Sequence, residues 1–281
     1  MRGHGMKLTV QTKKHLVVHG VLLLGAAAMF APFLWMFVTS LKTLSESMLV
    51  PPTLWPDVLQ WSNYADVWNS LPFAAFYANT FGMILFRVLG SVFFSATAAY
   101  AFARMTFPGR DALFGLVLVT MMIPGQLFLI PQYEIVARLG QVDTLFALVL
   151  PGIVSAFGTF LLRQFFLSIP TELEEAAILD GCNRWQVFWH IMLPLTRSGL
   201  IALSIFTALF AWKDLMWPLI VNTSLDEMPL ASGLASLQGQ YSTNFPQLMA
   251  GSMIAIWPML VLFVVFQKQF IQGVAGTGSK N

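Results

Sequence analysis

Cysteine is almost missing. Cys182 stands alone in 281 residues, which excludes an intrachain disulfide and any cysteine cluster for a metal. Histidine is scarce too: His4, His15, His19 and His190 are the full set, and none is paired with another histidine or an acid inside an apolar segment. No Gly-x-Ser-x-Gly elbow and no His-Glu-x-x-His sequence occurs, so hydrolase and zinc-protease chemistry lack their residues. No metal ligands are expected. Charge is the third scarcity. Only 10% of residues are charged while 57% are hydrophobic, and the mean hydropathy is +0.71. That is too little charge to cover a water-soluble domain of this size. It is the composition of an integral membrane protein. No internal repeat and no low-complexity stretch is visible.

Six segments are long and apolar enough to cross a hydrocarbon core, which takes about 20 helical residues. They run from Leu16 to Thr39, Phe73 to Ala103, Ala112 to Ile130, Asp143 to Leu162, Ser198 to Val221 and Gln247 to Phe266. The first begins like a secretory signal, with Lys13 and Lys14 before an apolar stretch and Ala26-Ala27-Ala28. The run continues through "MFAPFLWMFV", too long for a signal core, and so predicts a retained span. The fold class expected is all-α: a polytopic membrane protein with six transmembrane helices.

Placing the N-terminus inside makes segments 1–15, 104–111, 163–197 and 267–281 internal. These carry Arg2, Lys7, Lys13, Lys14, Arg104, Arg110, Arg163, Arg184, Arg197, Lys268 and Lys280, eleven of the fifteen basic residues. The external segments hold only Lys42 and Arg138. The positive-inside rule then predicts that the N- and C-termini are both cytoplasmic. Trp35, Trp55, Trp61, Trp68 and Trp217 fall at or beyond the outer span ends, where amphipathic rings suit the interface. The external loop from Leu41 to Pro72 is long enough for a small cap or lateral helix.

Within the longest internal loop, "ELEEAAILDGCNRWQVFWHIMLPL" covers Glu172 to Leu195. It reads as two short helices. Pro170 stops what precedes; Thr171 can cap the first helix with Glu174 completing a capping box. Glu172, Glu174 and Glu175 sit where carboxylates complement the helix dipole. Gly181 suits a left-handed C′ position. Asn183 with Gln186 predicts a second cap, Trp185, Phe188, Trp189 and Met192 an apolar side, and Pro194 the end. Such a hairpin can lie on lipid, sit solvated, or present a knob to another protein; acids beside an anionic leaflet argue against the first, and the orderly start and stop signals against the second.

Glu175-Ala176-Ala177, three residues, Gly181, nine residues, Ile191, one residue and Leu193-Pro194 resemble the EAA motif of ABC-importer permeases at every fixed position. "PFLWMFVTSLK", "AAYAFARMTFPGRDALF", "LLRQFFLSIPTELEEAA" and "AWKDLMWPLIV" are similar to carbohydrate-type importer permeases, in particular the shorter six-span partner exemplified by the maltose importer. Two positions depart: Trp212-Lys213-Asp214 stands where the family commonly has Trp-Asn-Asp, and Arg87 where it has a small or apolar residue.

The resemblance implies one permease domain over 1–281: a cytoplasmic N-terminus (1–15), a six-span core (16–266) and a cytoplasmic tail (267–281). The loop 163–197 between spans four and five becomes a coupling helix. Its ATPase-coupling candidates are Glu174, Glu175, Ala176, Ala177, Asp180, Gly181, Ile191, Leu193 and Pro194. The implied partners are a second homologous permease, two cytoplasmic ATPase subunits that carry ATP and Mg, and an extracytoplasmic solute-binding protein. Membrane lipid surrounds the chain, no nucleic acid is involved, and the location is a prokaryotic inner or plasma membrane. The chain itself would be a non-catalytic subunit holding no cofactor. Its tail, Gly273 to Lys280, imitates a P-loop but lacks Gly-Lys-Ser/Thr order and the strand and helix around it.

The implied function is import of a sugar or oligosaccharide, with glycerol phosphate or another polyol or phosphodiester as the alternative and a stand-alone channel or carrier as a third reading. Arg87 lies deep in a span and needs a partner: an ion pair, with Asp214 or with the partner permease, or a lining role in the translocation path with Lys213 and Asp214. Lys213 can equally snorkel to the interface. The loop after Asn222 offers Gln238, Gln240, Tyr241 and Asn244 to the binding protein, and the tail offers Gln272 and Gly273 to the ATPases.

Overall fold

Prolines decide where the long apolar stretches of this chain bend. The computed structural model describes residues 4–239 and 243–275, helical except for one isolated antiparallel bridge between Gln238 and Thr243. In chain order the main helices are α1 (His4–Ser40), α2 (Ser62–Ser70), α3 (Phe73–Arg104), α4 (Arg110–Thr120), α5 (Leu129–Arg138), α6 (Leu145–Val149), α7 (Ala156–Ser168), α8 (Thr171–Leu179), α9 (Arg184–Val187), α10 (Arg197–Trp212), α11 (Met216–Val221), α12 (Leu230–Ala235) and α13 (Phe245–Ala275).

Three stretches are continuous helices long and apolar enough to cross a membrane: Val17–Ser40, Phe73–Arg104 and Phe245–Val265. Three more pass only as bent pairs. Arg110–Thr120 and Gly125–Arg138 meet at 97°, Leu145–Gly152 and Ala156–Leu167 at 46°, and Arg184–Leu195 and Arg197–Trp212 at 75°. Between three and six spans are therefore available by length and composition, six if each bent pair is one span, and the third and fourth of the expected stretches are broken. The fifth differs more. The stretch expected from Ser198 to Val221 stops at Trp212 and restarts at Met216, while the bent partner of α10 is the helix before it.

Prolines stand at the breaks of the third and fourth stretches and at the gap before α11. A proline cannot bond the carbonyl four residues back and collides with it. Pro124 follows the end of α4 at Thr120, Pro151 sits in the 3-10 turn Leu150–Gly152 after α6, and Pro218 follows the gap at Asp214. Pro194 faces back to His190, inside a π-helical stretch at Phe188–Met192. Pro32 and Pro258 are absorbed within α1 and α13.

The chain divides into two compact units, Met1–Ser70 with Leu237–Ile256, and Leu71–Ser236 with Trp257–Asn281. In the first, the loop after α1 contains a short helix, α2, and Asn63 Nδ2 donates to the carbonyls of Ser40 and Lys42 at 2.9 and 3.0 Å. Lys42 is buried, with its ammonium on the Thr53 carbonyl and 4.7 Å from the Trp35 ring centroid. Glu46 completes a capping box with Thr43 and accepts from the Asp57 amide at 2.9 Å.

In the second unit α3 is the central helix. α7 and α10 pack on it through small residues, a usual device where helices meet in a membrane. A side chain at Gly158 would strike Ser95 and Leu203, and one at Gly90 would strike Ile153. One apolar cluster joins Ala96, Ala99 and Tyr100 to Leu162, Phe166, Phe188, Met192 and Leu203. A second gathers Met83, Val136, Ala147, Leu148, Ala211, Trp217 and Val221. Asp143 precedes the fourth apolar stretch, the bent pair that begins at Leu145. At φ +63 it accepts from the amides of Thr223 and Ser224 at 2.9 and 3.0 Å and from the Ser224 hydroxyl. Burial pushes its carboxyl pKa up, but these bonds outweigh that and hold it below the usual range.

Candidate functional site

The hairpin from Thr171 to Leu195 begins differently from its expected cap. Thr171 is the first helical residue, preceded by Pro170, and no side chain caps the helix. Glu174 is not a capping partner and does not face outward. It shares an inner face with Ala177, three residues on, and both are buried. Tyr100 Oη donates to Glu174 Oε1 at 2.9 Å, and Arg104 Nε lies 3.9 Å from Oε2. The capping role expected of Glu174 is therefore corrected: its carboxylate is occupied by α3.

The far end of α8 follows the sequence reading. Gly181 has φ +91, the left-handed region where only glycine is free of strain. The amide of Cys182 bonds the Ala177 carbonyl and that of Gly181 the Ile178 carbonyl, both at 3.0 Å, which is a Schellman closure. The next helix is capped as expected. Gln186 N donates to Asn183 Oδ1 at 2.9 Å and Asn183 N to Gln186 Oε1 at 2.8 Å. Val187, Phe188 and Met192 enter the core, whereas Trp185 and Trp189 remain 59% and 39% exposed.

Pro194 does not end this segment. The Leu193 amide bonds the Phe188 carbonyl, one residue beyond the α-helical register. That wider turn lets the helix run past the proline to Leu195 before it bends at Thr196. π-turns of this kind recur at functional sites.

The motif positions sort by direction. Glu175, Ala176, Asp180 and Gly181 are exposed, with Leu179 at 88% beside them. Ala177 is buried, Ile191 and Leu193 pack half-buried against the core, and Pro194 is exposed. One face of the hairpin thus packs into the bundle and the other is exposed.

Arg87 takes the ion-pair alternative. Its Nη1 lies 2.8 Å from Asp214 Oδ2, and Nε and Nη2 donate to the Leu148 carbonyl at 2.9 and 2.6 Å. The guanidinium lies over Gly152, where a Cβ would come within 2.5 Å of Arg87 Cδ. Nearby, Trp217 Nε1 donates to the Ala147 carbonyl at 2.9 Å. That carbonyl's helical donor would be residue 151, a proline with no N–H, so the indole replaces it. Lys213 is exposed, its ammonium 4.9 Å from the Phe210 ring centroid.

Gln238 takes part in the bridge to Thr243, and Asn244 Oδ1 accepts from the Gln247 amide at 3.3 Å, capping α13. Gln240 and Tyr241 lie outside the described residues. Gln272 and Gly273 fall in the last turns of α13, where side chains are not described. Among the described residues no group of three metal-ligating side chains occurs. Sequence reasoning missed Tyr100 and Arg104 and set Trp217 at the interface, whereas its ring is buried against Ala147. Arg104 counted only as a topological charge, although Tyr100 and Arg104 stand four apart at the end of one helix, a spacing that places them on one face.

Residues 91–276 match the family described as "Binding-protein-dependent transport system inner membrane component". The sn-glycerol-3-phosphate transport system permease protein of Pectobacterium atrosepticum is 32% identical over 264 residues, 91% of this chain and 94% of that protein. The arabinooligosaccharides transport system permease protein of Bacillus subtilis is 35% identical over 253 residues, 89% of this chain and 90% of that one. The fold is similar to a chain from the crystal structure of a bacterial ABC transporter that imports the acidic polysaccharide alginate. There the TM-score is 0.78 at 24% identity, over 92% of this chain and 97% of the other. The chain belongs to the family of inner membrane components of binding-protein-dependent transport systems.

Proposed function

We propose that this chain is a permease subunit of an ATP-driven importer that moves a sugar or oligosaccharide delivered by an extracytoplasmic binding protein. It acts as a single permease domain in a prokaryotic inner or plasma membrane, with both termini cytoplasmic, and pairs with a second, homologous permease. Two ATPase subunits bind and hydrolyse ATP; the chain itself is non-catalytic. The observation that carries this reading is the hairpin. It is closed by hydrogen bonds on both sides of the turn between its helices, holds its inner face in the bundle, and leaves Glu175, Ala176, Asp180 and Gly181 outward. Those are the residue types and spacing of a coupling helix that docks in an ATPase cleft. Closure of the ATPases draws the two hairpins of the permease pair together, and rocking of the packed helices opens the cavity outward.

The test is a reconstituted complex with Glu175→Lys or Gly181→Asp. Both variants should insert normally yet lose transport and its coupling to ATP hydrolysis. Normal transport with full stimulation of the ATPases would sink the docking role. A second substrate reading, glycerol phosphate or a related phosphodiester, is supported by the 32% identical relative named for sn-glycerol-3-phosphate transport. Binding of neutral sugars against phosphorylated polyols by the cognate binding protein separates the two.

A further inference from the structure

The hairpin meets the rest of its unit through two kinds of contact. One is apolar: Ala177, Val187, Phe188 and Met192 pack with Ala96, Ala99 and Tyr100. Such contacts are non-directional and fix no register by themselves. The other is a polar cluster at the last turn of α3. Tyr100 Oη holds Glu174 Oε1, and Arg104, one turn further on, faces Oε2. The same guanidinium donates through Nη2 to the Phe166 carbonyl at 2.6 Å and to the Ile169 carbonyl. Those carbonyls close the C-terminal end of α7. Arg104 therefore ties α3, α7 and α8 at one point.

The cluster is also inaccessible. The side chains of Arg104 and Glu174 are 6% and 10% exposed. Arg104 Nε is buried with no acceptor within hydrogen-bond distance and has the Glu174 carboxylate as its facing counter-charge. A buried charge without its partner is strongly unfavourable, so α8 cannot slide on α3 without carrying Arg104 along.

We propose that Glu174 is a positioning residue of the transport cycle: through Tyr100 and Arg104 it converts displacement of the hairpin into displacement of α3 and α7. This rests on the hairpin being the ATPase dock, but assigns the task to a different side chain. Glu175 is met by the partner; Glu174 passes the movement inward.

The experiment uses the whole complex, permease pair, ATPase subunits and loaded binding protein, in lipid nanodiscs. Glu174→Gln keeps the shape and an acceptor for Tyr100 but removes the charge facing Arg104. Tyr100→Phe removes one hydroxyl and is nearly isosteric. Both should co-purify with the ATPase subunits in the wild-type ratio, while stimulation of ATP hydrolysis by the loaded binding protein falls about fivefold or more, the lower range of an allosteric coupling. A merely structural role would lower assembly and leave the stimulation of the assembled fraction intact, which overturns the proposal. Wild-type stimulation in both variants overturns it as well. Should Glu174→Gln fail to assemble, the stimulation ratio of Tyr100→Phe decides in the same way. Glu175→Lys in parallel separates the two levels. Loss of coupling there, with normal Glu174 and Tyr100 variants, removes this inference and leaves the docking reading standing. Normal behaviour of Glu175→Lys removes both.

Discussion

Arg87 and Asp214 lie 127 residues apart in sequence and 2.8 Å apart in space, the arginine at 8% side-chain exposure and the aspartate at 22%. The pair joins α3 to the gap between α10 and α11, and the same guanidinium holds the Leu148 carbonyl of the broken fourth helix. Truncating one partner of a buried pair leaves an unpaired charge, a loss of about 3–5 kcal/mol. Asp214→Ala should therefore lower the thermal midpoint of the detergent-solubilised protein sharply. Arg87→Met with Asp214→Leu should recover only part, because the Leu148 carbonyl stays unpaired. Full recovery in the double variant would show that the carbonyl bonds contribute little.

Trp217 and Pro151 form a second test. Trp217→Phe removes the donor to the Ala147 carbonyl, and an unmet buried acceptor costs about 1–3 kcal/mol. Adding Pro151→Ala restores a backbone N–H four residues from that carbonyl. Thermal denaturation should find the double variant more stable than Trp217→Phe alone; an additive loss would argue that the indole acts only by packing.

Gly181 carries its effect in the backbone alone, since at φ +91 nothing lies within 4 Å of the place a Cβ would take. Gly181→Ala should cost about 1–2 kcal/mol and Gly181→Asn less, as asparagine visits the left-handed region more readily. Comparing the two unfolding midpoints distinguishes strain from lost contact, which would penalise the larger asparagine more.

Acidification offers a fourth. Hydrogen bonds from the Thr43 and Asp57 backbone, the largest influences, depress the pKa of Glu46, and those of Ser224 and Thr223 overcome burial to depress that of Asp143. A carboxyl whose folded pKa is lowered contributes stability that is complete above its unfolded value, about 4, and is lost as pH falls through the folded value. Stability should be flat from pH 7 to about 5 and decline below. In Asp143→Asn the decline should be shallower. Midpoints recorded from pH 3 to 7 for both proteins test this, and parallel curves would remove Asp143 from the account.

Much of this architecture is legible in the sequence, for stated reasons. Hydropathy over about 20 residues reports helix length, so the three continuous spans and the three bent pairs all fall within apolar stretches the sequence marks. The Asn183–Gln186 box and Gly181 are local devices, decided within four residues. What stays hidden depends on distance. Glu174 looks like a cap because its partners, Tyr100 and Arg104, lie 74 and 70 residues away. The bends stay hidden because a hydropathy window averages over the axis. Yet Pro124, Pro151 and Pro218 are in plain view, each within four residues of a break.

The stretch from Leu145 to Gly152 is completed by donors from both sides of it in the chain. Non-polar lipid offers no donor to a bare carbonyl, and the indole that satisfies Ala147 is supplied 70 residues later in the chain. Arg87 is synthesised before its carbonyl acceptor, Trp217 after.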